Sequence, residues 1–263
     1  MRTGTMAPRI WAGCFVVLVV ALLAPGPNQP PTAAAAAQCQ RIVVPAYFNP
    51  GRDWKRAIAA APATGIMILN PNSGPDRYLE HWAKVTRQAQ AAGIKVVGYV
   101  KTNLAKRSPA TVKTEIDQYF NWYKVDGIFL DEATGKAGTI PYFRDLANHV
   151  EKSANGAIVV LNPALDLNEG YMAFVDILVV YEYWYDDYRA KQLPDWLDDY
   201  PAGRFIHIVY DVPSRDAARA TLNLAEKRNA GYVFITDESD PAVIYKSLGG
   251  LWQEMVKAGC GNR

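Results

Sequence analysis

Near its middle the chain reads Asp126-Gly127-Ile128-Phe129-Leu130-Asp131-Glu132. The apolar part of this stretch is short and continuous, without the alternation of apolar and polar residues that a half-exposed strand shows. Such a run predicts a strand buried on both faces, as in a parallel sheet whose two sides are covered. Two acids follow it directly, so the strand ends on residues that can carry chemistry.

Seven further runs of this kind lie on either side of it. The eight predicted strands are residues 42–47, 66–70, 95–100, 127–131, 158–162, 177–181, 205–210 and 232–236. Their starts lie 19 to 32 residues apart, which leaves room for a helix between successive strands. We therefore predict an α/β fold, a single (β/α)8 TIM barrel with eight strands and eight helices. The alternative is a doubly wound open sheet, which the lack of a Gly-x-Gly-x-x-Gly motif after the first strand disfavours.

Helical periodicity is clearest over residues 78–92 and 111–123, where apolar residues recur at close to helical spacing. Gly93 follows the first segment, where a helix C-terminus favours glycine. Asp240 followed by Pro241 resembles an N-cap with proline at the first helical position, so a helix is expected to begin there.

Residues 1–37 are interpreted as a secretory signal peptide. A positively charged start precedes an apolar run over residues 10–24, and the alanines at 33–37 offer cleavage sites. The run is shorter than the roughly 20 residues that span a bilayer, so we expect no stable membrane association after cleavage. Residues 38–263 then form one exported barrel domain, which we expect to be a monomer.

Cysteine usage agrees with export. Cys39 and Cys260 lie near the two ends of the predicted barrel domain, and the first and last units of a closed barrel are neighbours. In an oxidising compartment this pair predicts one disulfide.

Composition argues against several classes of function. The net charge is +2 with no basic block, which disfavours nucleic acid as a partner. His81, His149 and His207 lack the spacing of a zinc site, so we expect neither a metal nor another cofactor.

In a TIM barrel the chemistry lies at the C-terminal ends of the strands. The side chains at the predicted strand ends are carboxylates, amides and aromatics, a mixture that suits a sugar. The candidate substrate-binding residues are Tyr47, Asn70, Asn72, Tyr99 and Asn162.

Three acids at these strand ends are the catalytic candidates. Glycoside hydrolysis needs one carboxylic acid to protonate the leaving oxygen and a second carboxylate to attack the anomeric carbon or to activate water. Asp131 and Glu132 follow the fourth strand and Glu182 follows the sixth, so acids from alternate strands are expected to face each other across the barrel mouth. We predict a double displacement with Asp131 as nucleophile and Glu182 as acid and base. Glu132 would orient the sugar or tune the acid.

Other interpretations stay open at this point. Asp237 and Glu238 form a rival acidic pair, although their position beside Asp240 favours a role in a turn or cap. Lys101 follows the third strand and can in principle form a Schiff base, although a lysine there is more often solvated. The chain can also be a non-catalytic wall or matrix protein that binds glycan through the same cleft.

Six segments of the sequence resemble one known family. They are Val44-Pro45-Ala46-Tyr47, Ile68-Leu69-Asn70-Pro71-Asn72-Ser73-Gly74-Pro75, Val97-Gly98-Tyr99-Val100-Lys101-Thr102, Asp126-Gly127-Ile128-Phe129-Leu130-Asp131-Glu132, Leu161-Asn162-Pro163 and Tyr181-Glu182. In this order they resemble the spherulin-4 proteins, "spherulation-specific family 4", which form glycoside hydrolase family 135. Ala164 departs from the glycine that the family often has after its Asn-Pro.

The resemblance implies a TIM barrel with the activity of an endo-acting α-1,4-N-acetylgalactosaminidase. It implies a galactosamine-containing exopolysaccharide as substrate, such as fungal galactosaminogalactan. It also carries over Asp131, Glu132 and Glu182 as the functional acids.

Overall fold

Eight parallel strands close into a barrel in the computed structural model of the chain, which describes residue 1 and residues 39–261. The strands are β1 (Arg41–Ala46), β2 (Thr64–Leu69), β3 (Lys95–Lys101), β4 (Gly127–Asp131), β5 (Ile158–Leu161), β6 (Ile177–Trp184), β7 (Phe205–Tyr210) and β8 (Tyr232–Ile235). Each strand pairs with its neighbours in sequence, and β8 pairs with β1 to complete the ring. The predicted TIM barrel is therefore confirmed, and each predicted strand coincides with an observed one to within a few residues.

Helices surround the barrel. Within residues 39–261 the α-helices are α1 (Arg52–Ala59), α2 (Glu80–Ala91), α3 (Pro109–Tyr123), α4 (Ile140–Ser153), α5 (Tyr185–Ala190), α6 (Arg215–Lys227) and α7 (Trp252–Ala258). The segments predicted as helices form α2 and α3. The prediction of eight helices is wrong for the described chain, because the connection after β5 contains only a 3-10 helix, Glu169–Ala173.

The helix predicted to begin at Asp240 and Pro241 is also absent from the described residues. The Asp240 side chain accepts a hydrogen bond from the N–H of Ala242 at 2.9 Å, and its carbonyl accepts one from Val243. These bonds close a turn, since a short acidic side chain caps a turn as readily as it caps a helix. The last helix, α7, begins at Trp252.

Burial of apolar residues explains the barrel. All six residues of β2 are buried, as expected for a strand covered on both sides. Helix α6 buries Ala218, Leu222 and Ala225 along one face at helical spacing. Gly98 of β3 allows α3 to pack closely, because a Cβ there would lie 2.4 Å from the ring of Tyr119.

Strand β6 contains a β-bulge that matters for the site. Val179 pairs with Ile206, but the next paired residue is Tyr181, opposite His207, so that Val180 is left out of the register. Glu182 then pairs with Ile208, on the same face of the sheet as Val179 although the two residues are three apart. An extra residue in one strand changes which side chains face inward. The bulge therefore turns Glu182 toward the barrel mouth.

The base of the barrel carries the predicted disulfide. Cys39 and Cys260 are bonded, with their Cα atoms 5.2 Å apart, and the N–H of Cys260 donates to the carbonyl of Gln40. This link joins the chain just before β1 to the chain just after α7.

The predicted signal peptide, residues 1–37, falls outside the described residues apart from Met1. In the described part of the chain, no helix combines the length and apolar character needed to cross a membrane.

Candidate active site

Asp131 ends β4 and holds its carboxylate through two neighbouring strands. The hydroxyl of Tyr99, on β3, donates to Oδ2 at 2.7 Å. The side-chain amide of Asn162, just after β5, donates to Oδ1 at 2.8 Å. Both donors come from strands that flank β4 in the sheet, so the regular register of the barrel is enough to place them.

Glu182, near the end of β6, is held in a similar way from different directions. The Asn162 amide nitrogen also donates to its Oε2. The hydroxyl of Tyr245 donates to Oε1, and this tyrosine lies in the segment between β8 and α7. Each oxygen of the Glu182 carboxyl thus accepts one hydrogen bond, as each oxygen of Asp131 does.

Asn162 therefore joins the two carboxyl groups through one nitrogen atom. Two oxygens that share a donor cannot lie farther apart than two hydrogen bonds laid end to end. The nearest oxygens of the two carboxyl groups are therefore close enough for the roughly 5–5.5 Å spacing of carboxyls in retaining glycosidases. The amide oxygen of Asn162 accepts from the N–H of Ala164 at 2.9 Å, which orients the side chain.

Burial changes the protonation of both acids. Burial raises the pKa of Glu182 to about 7, and the negative charge of Asp131 adds to this rise, while the bonds from Tyr245 and Asn162 oppose it. Burial also raises the pKa of Asp131, and the bonds from Tyr99 and Asn162 oppose that rise. Near neutral pH this arrangement favours one proton on Glu182 facing a charged Asp131.

An aromatic cluster lies beneath the two acids. Tyr47 packs edge-on against Tyr99, with ring centres 5.3 Å apart, and against Tyr245, with ring centres 5.2 Å apart. Its ring thus contacts both of the phenols that donate to the carboxyl groups. Such edge-to-face contacts fix ring positions and stabilise by roughly 0.5–1.5 kcal/mol each.

Glu132 lines the same cavity as the two acids, but its carboxylate pairs with a lysine. Its backbone has a positive φ of 52°, and its carboxylate forms an ion pair with Lys101 at 2.9 Å. The carbonyl of Glu132 accepts from the N–H of Leu104 and from the hydroxyl of Thr102.

The predicted binding residues Asn70 and Asn72 make hydrogen bonds within their own loop. Asn70 accepts from the N–H of Gly74 at 3.1 Å, and Asn72 donates to Asp76 at 3.3 Å. Asp237 of the rival acidic pair accepts from the N–H of Gly250 at 2.8 Å. These contacts organise loops around the mouth, and a role in substrate binding stays a prediction for the two asparagines.

A cavity of about 740 Å³ opens directly above the acids. Asp131, Glu132, Asn162 and Glu182 contribute to its wall. Its other lining residues include Asn103, Leu104, Lys106, Thr134, Lys136, Asp166, Tyr183 and Tyr210. Tyr183 keeps 40% of its surface exposed there, so an aromatic face is available to a ligand. Among the described residues, no three His, Cys, Asp or Glu side chains group as they would around a metal ion.

Tyr245 is the member of the site that sequence reasoning missed. It lies 63 residues after Glu182, in a segment with neither strand nor helical periodicity. Barrel closure alone brings it to the mouth, and no motif in the sequence marks it. A signal did exist for Tyr210, which ends the seventh predicted strand.

Comparison with known proteins gives the same picture of the fold. The sequence pattern of spherulation-specific family 4 matches residues 41–258, which run from the start of β1 to the end of α7. The chain belongs to spherulation-specific family 4. Spherulin-4 of Physarum polycephalum is 28% identical over 243 residues, which cover 86% of this chain and 71% of that relative.

Two solved structures extend the comparison. Sph3 of Aspergillus clavatus, whose structure was determined in complex with GalNAc, superimposes with a TM-score of 0.73 at 24% identity, covering 84% of this chain and 97% of Sph3. A chitinase from Chromobacterium violaceum superimposes with a TM-score of 0.51 at 12% identity. The match covers 85% of this chain and 100% of the chitinase. The spherulation-specific family 4 barrel is therefore a fold that glycoside hydrolases share.

Proposed function

We propose that this member of spherulation-specific family 4 is a secreted glycoside hydrolase of the retaining, endo-α-1,4-N-acetylgalactosaminidase type. Its substrate would be a galactosamine-containing exopolysaccharide. The observation that carries the proposal is the pair of carboxyl groups, Asp131 and Glu182, that share the Asn162 amide at the floor of an open cavity. Their separation suits a double displacement.

In the first step Asp131 attacks the anomeric carbon, and the bond from that carbon to the leaving oxygen breaks. Glu182 gives its proton to the leaving oxygen at the same time. In the second step Glu182 takes a proton from water, the water oxygen bonds to the anomeric carbon, and the bond to Asp131 breaks. The carboxylate of Asp131 and the proton on Glu182 are then restored.

The protonation states support this division of roles. A general acid works best when its pKa lies near the working pH, and burial raises the pKa of Glu182 to about 7. Asp131 accepts from Tyr99 and Asn162, and both bonds stabilise its charged form, the form that attacks carbon. Glu132, paired with Lys101 at the rim, would orient the sugar.

The cavity and the family support the proposed substrate class. Tyr183 and Tyr210 offer aromatic surface to the apolar face of a sugar ring, and carboxylates and Asn162 offer partners for its hydroxyl groups. Membership of spherulation-specific family 4 and the GalNAc complex of Sph3 favour an N-acetylgalactosamine polymer. The Cys39–Cys260 disulfide supports export to where such polymers lie.

The direct test is digestion of a glycan panel that includes galactosaminogalactan, with new reducing ends counted and products sized by mass spectrometry. The wild-type chain is expected to release a series of oligosaccharides, as an endo-acting enzyme does. Glu182→Gln should release almost none. Asp145→Asn is the matched control, because Asp145 is a carboxylate on α4 that pairs with Lys113 at the surface.

Binding of galactosaminogalactan without any new reducing ends would contradict the proposal. It would favour instead a wall or matrix protein that holds glycan in the same cavity. Equal product release by the wild type and by Glu182→Gln would remove Glu182 from the mechanism.

A further inference from the structure

The segment between β8 and α7 reaches back over the barrel mouth to the acid pair. Its Ile244 and Leu248 are buried, which anchors it to the core. Asp237 accepts from the N–H of Gly250 at 2.8 Å and ties the two ends of the segment together. Gly250 has no side chain, and a Cβ there would lie 2.4 Å from the Asp237 carboxylate. The segment is therefore held closely at both ends with Tyr245 between them.

Tyr245 is fixed by packing as well as by its hydrogen bond. Its ring centre lies 5.2 Å from that of Tyr47, 6.5 Å from that of Tyr210 and 6.4 Å from that of Phe234. With its ring in contact with these three rings, the phenol donates its hydrogen bond to Oε1 of Glu182. Rigid support of this kind determines how well a reacting group keeps its orientation.

We infer that Tyr245 is a positioning residue for Glu182: together with Asn162 it fixes both carboxyl oxygens and so sets the direction in which Glu182 offers its proton. A carboxylic acid retains acceptor capacity when protonated, so both bonds are compatible with the acid form. This inference rests on the proposed function for its catalytic meaning. The effect of the Tyr245 phenol on the Glu182 carboxyl group can be measured without an assay of activity.

The hydrogen bond also affects protonation. The groups that face Glu182 are Asp131 on β4, Tyr99 on β3, Tyr47 after β1, Asn162 after β5, Tyr210 on β7 and Tyr245 itself. Of these, Asp131 raises the pKa of Glu182 through its charge, while the bonds from Tyr245 and Asn162 lower it. Loss of the Tyr245 bond should therefore raise the pKa of Glu182, and the acid form should persist to higher pH.

The test is a pH titration of Glu182 by carboxyl ¹³C NMR on glutamate-labelled protein, with the Glu182→Gln variant used to assign the resonance. In Tyr245→Phe, which keeps the ring, the titration midpoint should move up by about one pH unit. The control is Tyr142→Phe on α4, because the Tyr142 hydroxyl is buried without a hydrogen-bond partner in the described chain. This control should leave the midpoint unchanged.

A second variant keeps the hydroxyl of residue 245 and should move the Glu182 titration midpoint in the opposite direction. Replacement of Tyr245 by difluorotyrosine makes the phenol a stronger donor, so the Glu182 midpoint should move down. If neither variant moves the midpoint relative to Tyr142→Phe, the inference is overturned. Because the readout is a titration, this result is distinct from a failure of the wild-type chain to cleave any glycan, which would overturn the proposed function alone.

With active protein, the same variant separates positioning from general stability. Tyr245→Phe should lower kcat with KM nearly unchanged and should move the basic limb of the kcat/KM profile upward with the NMR midpoint. A merely structural role would lower the amount of folded protein and leave both the limb and the midpoint where they are.

Discussion

Asp131 and Glu182 reach the same cavity along strands of different regularity. Asp131 ends a strand in continuous register with both neighbours, and its two donors lie 32 and 31 residues away on those neighbours. Glu182 lies beyond a bulge in β6, and one of its donors, Tyr245, lies 63 residues away after β8. Each acid nevertheless accepts a hydrogen bond from a tyrosine of its own, Tyr99 for Asp131 and Tyr245 for Glu182, and both acids accept from Asn162.

The difference shows that the two halves of the site form in different ways. The half around Asp131 is local to three neighbouring strands, and the half around Glu182 depends on closure of the barrel. The Asp131 half forms wherever β3, β4 and β5 pair. The Glu182 half needs the bulge at Val180 and the return of the chain after β8, so it is complete only when the whole barrel is closed. Asn162 belongs to both halves, and the charge of Asp131 raises the pKa of Glu182 across them.

The largest expected effect separates the chemical roles of the two acids. Asp131→Asn and Glu182→Gln should each lower kcat on the polymer by roughly 10²–10⁴-fold. On an aryl glycoside of a GalNAc oligosaccharide, whose leaving group needs no proton, Glu182→Gln should lose much less kcat/KM, which reports the first step, and Asp131→Asn should lose as much as before. Initial rates on the two substrates make this comparison, and a reversed pattern would exchange the two roles.

Breaking the link between the halves should have the next largest effect. Asn162→Ala removes one donor from each carboxyl, so both acids should lose orientation, with a loss of kcat on the order of 10²-fold. Asn148→Ala on the exposed part of α4 serves as the control. Wild-type kinetics in Asn162→Ala would mean that the shared amide does not organise the pair.

A smaller effect should appear in the pH profile. Tyr99→Phe removes a bond that lowers the pKa of Asp131, so that pKa should rise. Asp131 must be ionised to attack, and activity should therefore be lost at a higher pH on the acidic side, by about one pH unit. The basic limb, which follows Glu182, should move much less. Movement of the basic limb alone would contradict the assignment of Tyr99 to the Asp131 half.

The smallest effect on activity is expected at the other end of the barrel. Replacing both Cys39 and Cys260 by serine removes the link at the base, far from both acids, and should lower the free energy of unfolding by about 2–4 kcal/mol. Thermal unfolding measures this loss. The kcat of the folded variant at 25 °C should match that of the wild type, and a change in its pH profile would show that the base influences the mouth.

The local half of the site was open to prediction from the sequence. Apolar runs with regular spacing define the strands, and polar residues at their ends, such as Tyr99, Asp131 and Asn162, must then meet at one rim. The barrel also brings Cys39 and Cys260 together, because its first and last units are adjacent.

The rest depends on geometry that periodicity does not encode. Val179 and Val180 are both apolar and buried, so the bulge between them and Tyr181 leaves no mark in the pattern. Tyr245 lies in an irregular segment where the sequence predicts a helix beginning at Asp240. The positive φ of Glu132 and its ion pair with Lys101 likewise have no signal in the sequence.

The central claim is that Asp131 and Glu182 act as a nucleophile and acid pair at retaining distance. Time-resolved ¹H NMR of the first products from an α-1,4-linked GalNAc oligosaccharide tests it most directly. The account predicts that the α-anomer of the new reducing end appears first and then equilibrates with the β-anomer. Initial appearance of the β-anomer would contradict it.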